Sequence, residues 1–223
     1  MYKEALSILN EISTLGYDAY IIGGYVRDYL LGNNNNDIDI CTNATPDIIK
    51  NNFEVIKDNS KYGNLLIKYN NYEFEITTFR IELEYSNRYP KIIYTDLLIE
   101  DLKRRDFTIN TICIDKNENI IDLLNGKRDL ENKIIKCIGN PIKKIKEDPI
   151  RILRAIRFSS KYNFELEKNL ENIIINYAYL LKNITKNQIK KEVEKMNKDA
   201  IILIKKYNID KYMKGMIWCK KKF

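Results

Sequence analysis

The sequence predicts an α+β fold, with a mixed head and small sheet over residues 1–138 and an all-helical part over 139–223. Three observations carry this. Short β-type runs, "AYII" (19–22), "NLLIKY" (64–69) and "YEFEITTF" (72–79), alternate with helical patterns as far as about residue 122. Beyond Gly139 the patterns at 149–162, 167–181 and 187–205 are helical, with no strand between them. The change of character falls near 138–146, and no internal repeat is visible.

Each element has a local reason. Ala5, Ile8, Leu9, Ile12 and Leu15 share one face of a helix over 2–15, which Gly16 stops. Val26 to Leu31 forms a short helix ended by Gly32, and "DIDIC" (37–41) reads as a strand. Thr45 and Pro46 open another helix as cap and first residue. Asn70 and Asn71 turn the two β-runs of 64–79 into a hairpin.

Composition narrows the chemistry. The 223 residues are 44% hydrophobic and 31% charged, as in a soluble globular protein. No apolar run approaches the roughly 20 residues that span a membrane, and "MYKEALSILNEI" lacks the features of a signal peptide. Cys41, Cys113, Cys137 and Cys219 form no CxxC pair, which suggests reduced thiols in the cytoplasm. Histidine is absent, so no His nucleophile, base or metal ligand exists. The net charge of +7 suits a phosphate-rich partner.

"GGYVRDYLLGNNNNDIDI" (23–40) carries the strongest signal. In a strand, Asp37 and Asp39 share one face, their Cα atoms roughly 6–7 Å apart, while Ile38 and Ile40 face a core. Two such carboxylates repel unless a cation sits between them. Magnesium favours oxygen ligands of this kind together with phosphates. The Gly23-Gly24 turn offers backbone N–H groups to a triphosphate, and Arg27 can reach the same anion. An exposed edge strand after an ordinary turn explains the two aspartates equally well.

Two further stretches are rich in arginine. "DLKRRDFTIN" (101–110) clusters Lys103, Arg104 and Arg105 before Asp106, Thr108 and Asn110. It is either a nucleotide-binding cluster or a solvated helix end. In "EDPIRILRAIRF" (147–158), Asp148 is a natural cap ahead of Pro149, and Arg151, Arg154 and Arg157 form one stripe. Three unpartnered guanidiniums would repel, so an anion or nucleobase suits them. A capped amphipathic helix with a wet basic face is the alternative.

Taken in order, these stretches resemble the signature motifs of the polymerase β-type nucleotidyltransferases. The closest likeness is to the class II tRNA nucleotidyltransferase and bacterial poly(A) polymerase branch, which has a catalytic head and a helical neck. The resemblance implies that Gly24 and Arg27 hold the triphosphate and that Asp37 and Asp39 hold catalytic Mg2+. It implies that Arg105 contacts the nucleotide, that Asp148 and Arg151 pair with the incoming base, C or A, and that Arg154 and Arg157 make the neighbouring nucleotide contacts. Segment 77–90 resembles the family's TTFR segment and flexible loop, and 119–139 its head-to-neck connector. Glu75 is a candidate third carboxylate, and a cross-strand salt bridge explains it as well.

The implied activity is addition of C and A to the 3′ acceptor end of tRNA from CTP and ATP. A-only, CC-only and poly(A) addition are alternatives, as is a non-catalytic RNA-binding remnant. A long segment at 80–95 argues against CC-only addition. The resemblance covers head and neck, so body and tail domains are expected to be absent, with a homo-oligomer or partner protein in their place. "KYGN" (61–64) departs from a frequent His-Gly-Thr run, and Asn187-Gln188 from Glu-Arg near Glu192. Lys214, Lys220, Lys221 and Lys222 beside Trp218 and Phe223 make either an RNA-binding end or a frayed basic tail.

Overall fold

The computed structural model describes residues 1–86 and 89–213. The basic end (Lys214, Trp218, Lys220, Lys221, Lys222 and Phe223) and Cys219 lie outside the described residues. The chain forms two compact units, one spanning Met1–Lys127 and one starting at Arg128.

In the first unit, α1 (Tyr2–Thr14) buries Ala5, Ile8, Leu9 and Ile12. Leu15, expected on that face, caps the helix and is 39% exposed, because Gly16 at φ 88° turns the chain away. Then come β1 (Ala19–Ile22), α2 (Gly24–Leu30), β2 (Asp39–Thr42), α3 (Pro46–Asn52) and β3 (Glu54–Asn59). The hairpin β4 (Asn64–Tyr69) and β5 (Tyr72–Thr78) follows, then β6 (Arg80–Ser86), β7 (Tyr89–Tyr94), α4 (Leu98–Arg104), β8 (Cys113–Ile114) and β9 (Ile120–Ile121). Seven strands make one mixed sheet in the order β3-β4-β5-β2-β1-β8-β9. β2 and β5 pair in parallel, and the other described pairings in this sheet are antiparallel. Ile21, Ile40, Leu65, Ile67, Phe74 and Ile76 pack its core and are almost fully buried.

One expectation for this unit changes, one element is unforeseen, and one segment is seen in part. β2 starts at Asp39, so Asp37 precedes the strand instead of lying in it. β3 carries no readable alternation, because nearly all its side chains are exposed and a bulge separates Val55 from Lys57. Within the segment expected to include a flexible loop, β6 and β7 pair antiparallel with an irregularity between Glu82 and Tyr85, and residues 87–88 lie outside the described residues.

α5 (Gly126–Glu131) spans the boundary, and the Asp122 carboxylate accepts the Gly126 and Lys127 N–H groups at its start. The second unit continues with β10 (Ile134–Ile135), α6 (Pro141–Glu147), α7 (Ile150–Tyr162), β11 (Glu165–Leu166), α8 (Lys168–Tyr177), α9 (Lys186–Val193) and α10 (Lys198–Lys206). It is not all-helical, since β10 and β11 form a two-residue parallel pair. The helix expected over 187–205 is two helices, because the Asn197 side chain caps a new start by accepting the Ala200 N–H at 3.0 Å. α7 buries Ile152, Leu153, Ala155 and Ile156.

Candidate active site

Strand pairing assembles the acidic part of the site. Asp39 opens β2 and is the register partner of Glu75 in β5. Register partners in a sheet project to the same side, so the two carboxylates are neighbours. Asp37 lies just before the strand, exposed, its N–H held by the Asn35 side chain at 2.9 Å. Burial, then the Glu75 charge, then the Asp37 charge push the Asp39 pKa up to about 7, while Arg105 opposes the shift. Asn64, in the departing "KYGN" run, donates to the Glu75 carboxylate and to Thr77 Oγ1 (3.2 Å). Its amide therefore orients Glu75. Among the described residues, no group of three or more Cys, Asp or Glu side chains is gathered at metal-ligating spacing.

The glycine turn lies against this acidic pair. Gly23 caps α2 at φ 82° and ψ −129°, in the left-handed region that suits glycine. A Cβ there would stand 3.6 Å from Asp39 Oδ2 and 3.9 Å from Arg105 Nη1, so the bare backbone lies beside both groups. Gly24 begins the helix beside Arg27 and Asn35. Arg27 is only 4% exposed. Its guanidinium donates twice to Asp28 Oδ1 (3.1 Å each) and once to Asn110 Oδ1. Asp28 Oδ2 accepts Asn35 Nδ2 at 2.9 Å, and Asn110 Nδ2 donates to Asp106 Oδ1 at 3.0 Å. Arg27 thus joins the glycine turn to the "RRDFTIN" segment. Sequence reasoning gave no role to Asp28, although a buried arginine needs such an acceptor, nor to Asn35, which donates to Asp28 in turn.

A cleft of about 360 Å³ has Asp39, Glu75, Arg80, Arg104 and Arg105 among its lining residues. Arg104 and Arg105 both grip Asp101, through Nε to Oδ1 at 2.7 Å and Nη2 to Oδ2 at 3.1 Å. Burial alone would raise the Asp101 pKa, but Arg105 and Arg104 outweigh it and hold it below the usual carboxylate range. Glu82 of β6 takes Arg80 (2.9 Å) and Arg104 (3.6 Å), and accepts the Tyr85 hydroxyl. The i,i+3 and i,i+4 spacing from Asp101 to the two arginines is the sequence signal for this grip.

In the second unit, Asp148 follows α6 and its Oδ1 accepts the Ile150 N–H at 3.1 Å, opening α7. The expectation of three unpartnered guanidiniums does not hold. Arg151 donates to the Lys144 carbonyl (2.7 Å) and to Glu147 Oε2 (3.0 Å). Arg157 pairs with Glu192 of α9, which is 7% exposed, and lies 4.2 Å over the Phe158 ring. Arg154 stands 5.5 Å over the same ring. Glu147 escapes sequence reasoning, though its place four residues before Arg151 is the signal for the pair.

Charge divides unevenly between the units. Residues 1–127 hold 14 of the 38 Lys and Arg but 20 of the 31 Asp and Glu. The basic surplus therefore belongs wholly to residues 128–223.

Comparison with known proteins gives the family and the fold. The family described as "Poly A polymerase head domain" matches residues 19–136. The CCA-adding enzyme of Bacillus pumilus is 42% identical over 200 residues, 88% of this chain and 50% of that protein. That of Lactobacillus helveticus is 40% identical over 199 residues, again 88% and 50%. The Bacillus stearothermophilus CCA-adding enzyme in complex with CTP superposes with a TM-score of 0.90 at 34% identity, over 99% of this chain and 55% of that one. A tRNA nucleotidyltransferase complexed with a primer tRNA and an incoming ATP analogue gives 0.76 at 28% identity, over 96% and 64%. The chain spans about half the length of the curated relatives it matches. The seven-stranded unit accordingly has the polymerase β-like nucleotidyltransferase fold, and the chain belongs to the poly(A) polymerase head-domain family.

Proposed function

We propose that the chain is a template-independent tRNA nucleotidyltransferase that adds C and A to the tRNA 3′ end from CTP and ATP and releases pyrophosphate. The observation that carries this is Asp39. It stands beside Glu75, with Asp37 two residues away, against the Gly23 backbone and facing Arg105. A carboxylate raised to about 7 by burial and its acidic neighbours fits a site made to receive a cation. The all-oxygen donor set of Asp37 and Asp39, with Glu75 adjacent, fits Mg2+. A divalent ion held there would make the RNA 3′-hydroxyl more acidic and neutralise charge on the α-phosphate.

The chain's own residues do the remaining work. Arg105, with Arg104 and Arg80 in the same cleft, offers guanidinium forks to the phosphates and stabilises charge on the leaving pyrophosphate. The Gly23-Gly24 turn admits a phosphate to the backbone. Arg27 acts through its network with Asp28 and Asn110, which fixes the turn relative to "RRDFTIN". By family resemblance, Asp148 and Arg151 select the base, with Arg154 and Arg157 as neighbouring nucleotide contacts, and Glu147 orients Arg151 through their ion pair. RNA made and matured inside the cell places the protein in the cytoplasm. Among the described residues no helix is long and apolar enough to cross a membrane.

One assay tests the reading. The protein is incubated with Mg2+, labelled CTP or ATP, and tRNA ending before its 3′ CCA. Addition of two C residues and one A is the expected product. A long tract of A from ATP alone would favour poly(A) addition, and no incorporation would remove the catalytic reading.

A further inference from the structure

Asp101 lies in the first turn of α4 and has no exposed surface. Its Oδ1 accepts Arg104 Nε at 2.7 Å and the Arg80 backbone N–H at 3.3 Å. Its Oδ2 accepts Arg105 Nη2 at 3.1 Å and Nε at 3.4 Å. One buried carboxylate is thereby shared between two successive guanidiniums, and both of these line the acidic cleft. A buried charge needs partners, but simple neutralisation needs only one arginine.

The backbone explains why two are held. α4 ends at Arg104, and Arg105 adopts an extended conformation at φ −66° and ψ 173°. Successive side chains at such a junction have no reason to converge. Asp101, three and four residues back, draws both forks under the cleft. Arg105 Nη1 then lies 3.9 Å from where a Gly23 Cβ would stand, next to Asp39. Glu82, 3.6 Å from Arg104 Nη1, steadies the second fork from β6.

We propose that Asp101 is a positioning residue that fixes Arg104 and Arg105 as a preorganised pair for two phosphate groups of the incoming nucleotide. This rests on the nucleotide-cleft reading above. Ordering two long side chains before the ligand arrives removes that entropic cost from binding. The proposal makes Arg104 and Arg105 act as one unit and gives Asp101 a role without contact to substrate.

A double-mutant cycle on CTP binding tests it. Binding is measured by calorimetry on the full chain, without RNA, so that loss of RNA extension with intact CTP binding counts against the transfer reading and not against Asp101. Asp101→Asn keeps shape and removes the charge. It should weaken CTP binding about tenfold, and Asp101→Asn combined with Arg105→Ala should bind no worse than Arg105→Ala alone. In steady-state assays KM for CTP should rise more than kcat falls. Additive losses, or a lowered Tm with unchanged CTP affinity, would overturn the proposal. If Asp101→Asn does not fold, the same cycle with Asp101→Glu, which shifts the carboxylate by one methylene, decides by the same criteria.

Discussion

Asp39 and Glu75 face each other across the parallel β2–β5 pairing, so the sheet places two carboxylates side by side. A proton or a metal cation would relieve that repulsion, which Arg105 partly offsets. A folded-state pKa of about 7, against an ordinary value of 3.8, means that the folded chain binds this proton more tightly than the unfolded one. The resulting stability is complete below about pH 4 and is lost as pH rises through 7.

The first prediction follows for the metal-free protein. In EDTA, Tm should fall between pH 6 and pH 8, and Asp39→Asn should lose most of that fall. Millimolar Mg2+ should raise Tm at pH 8 more than at pH 6. A wild-type Tm that falls no more steeply than that of Asp39→Asn would show that Asp39 ionises normally.

The second concerns the ligands themselves. Asp37→Ala and Asp39→Ala should each leave less than a few per cent of nucleotide addition, with circular dichroism unchanged. Glu75→Gln should cost about 10–100-fold, as for a group that supports metal ligands, and Asn64→Ala less. Full activity in Glu75→Gln would reduce Glu75 to a sheet contact.

Much of this is legible in the sequence, and the limits have physical causes. β1 and the β4–β5 hairpin announce themselves by their β-type runs, and the DxD pattern marks the acidic site. The partnership of Asp39 with Glu75 is hidden because it depends on which strand β2 pairs with, a choice made between residues far apart in the chain. Arg157 looks unpartnered because Glu192, its acceptor, comes 35 positions later on another helix. β3 has no apolar face to read. The break at Asn197 is masked because apolar residues on both sides keep a helical spacing.

The third prediction separates two arginines that look alike in sequence. Arg157 and Glu192 are both nearly buried, so removing one strands the other. Glu192→Ala should cost about 3 kcal/mol of stability, with little change in the preference for CTP and ATP over UTP and GTP. Arg151→Ala should instead blur that preference while triphosphate affinity holds. Chemical denaturation and competition assays with all four nucleotides read the two effects. Equal loss of selectivity in both variants would assign them to one structural role.

The last prediction concerns how RNA is held. The first unit is acidic in sum, so net long-range attraction to the RNA backbone comes from residues beyond 127, whatever Arg80, Arg104 and Arg105 do locally for the nucleotide. On α6, Lys144 and Lys143 both reach Glu147 at 4.0 Å, Lys144 from a half-buried position and Lys143 from an exposed one, and Lys146 is exposed as well. Lys146 Nζ stands 5.7 Å over the Tyr177 ring, and Tyr177 stacks on Tyr179 at 6.1 Å, with Tyr179 48% exposed. Cations beside an open aromatic face suit a phosphate backbone with a base stacked on it. Lys143→Ala, which puts no new charge beside Glu147, combined with Lys146→Glu should therefore weaken binding of tRNA whatever its sequence and leave CTP binding unchanged. For every phosphate that these lysines neutralise, the slope of log affinity against log salt should become shallower in the variant by about 0.9 on duplex or 0.7 on single strands. An unchanged slope in filter-binding titrations from low to physiological salt would place the RNA on another face of the second unit.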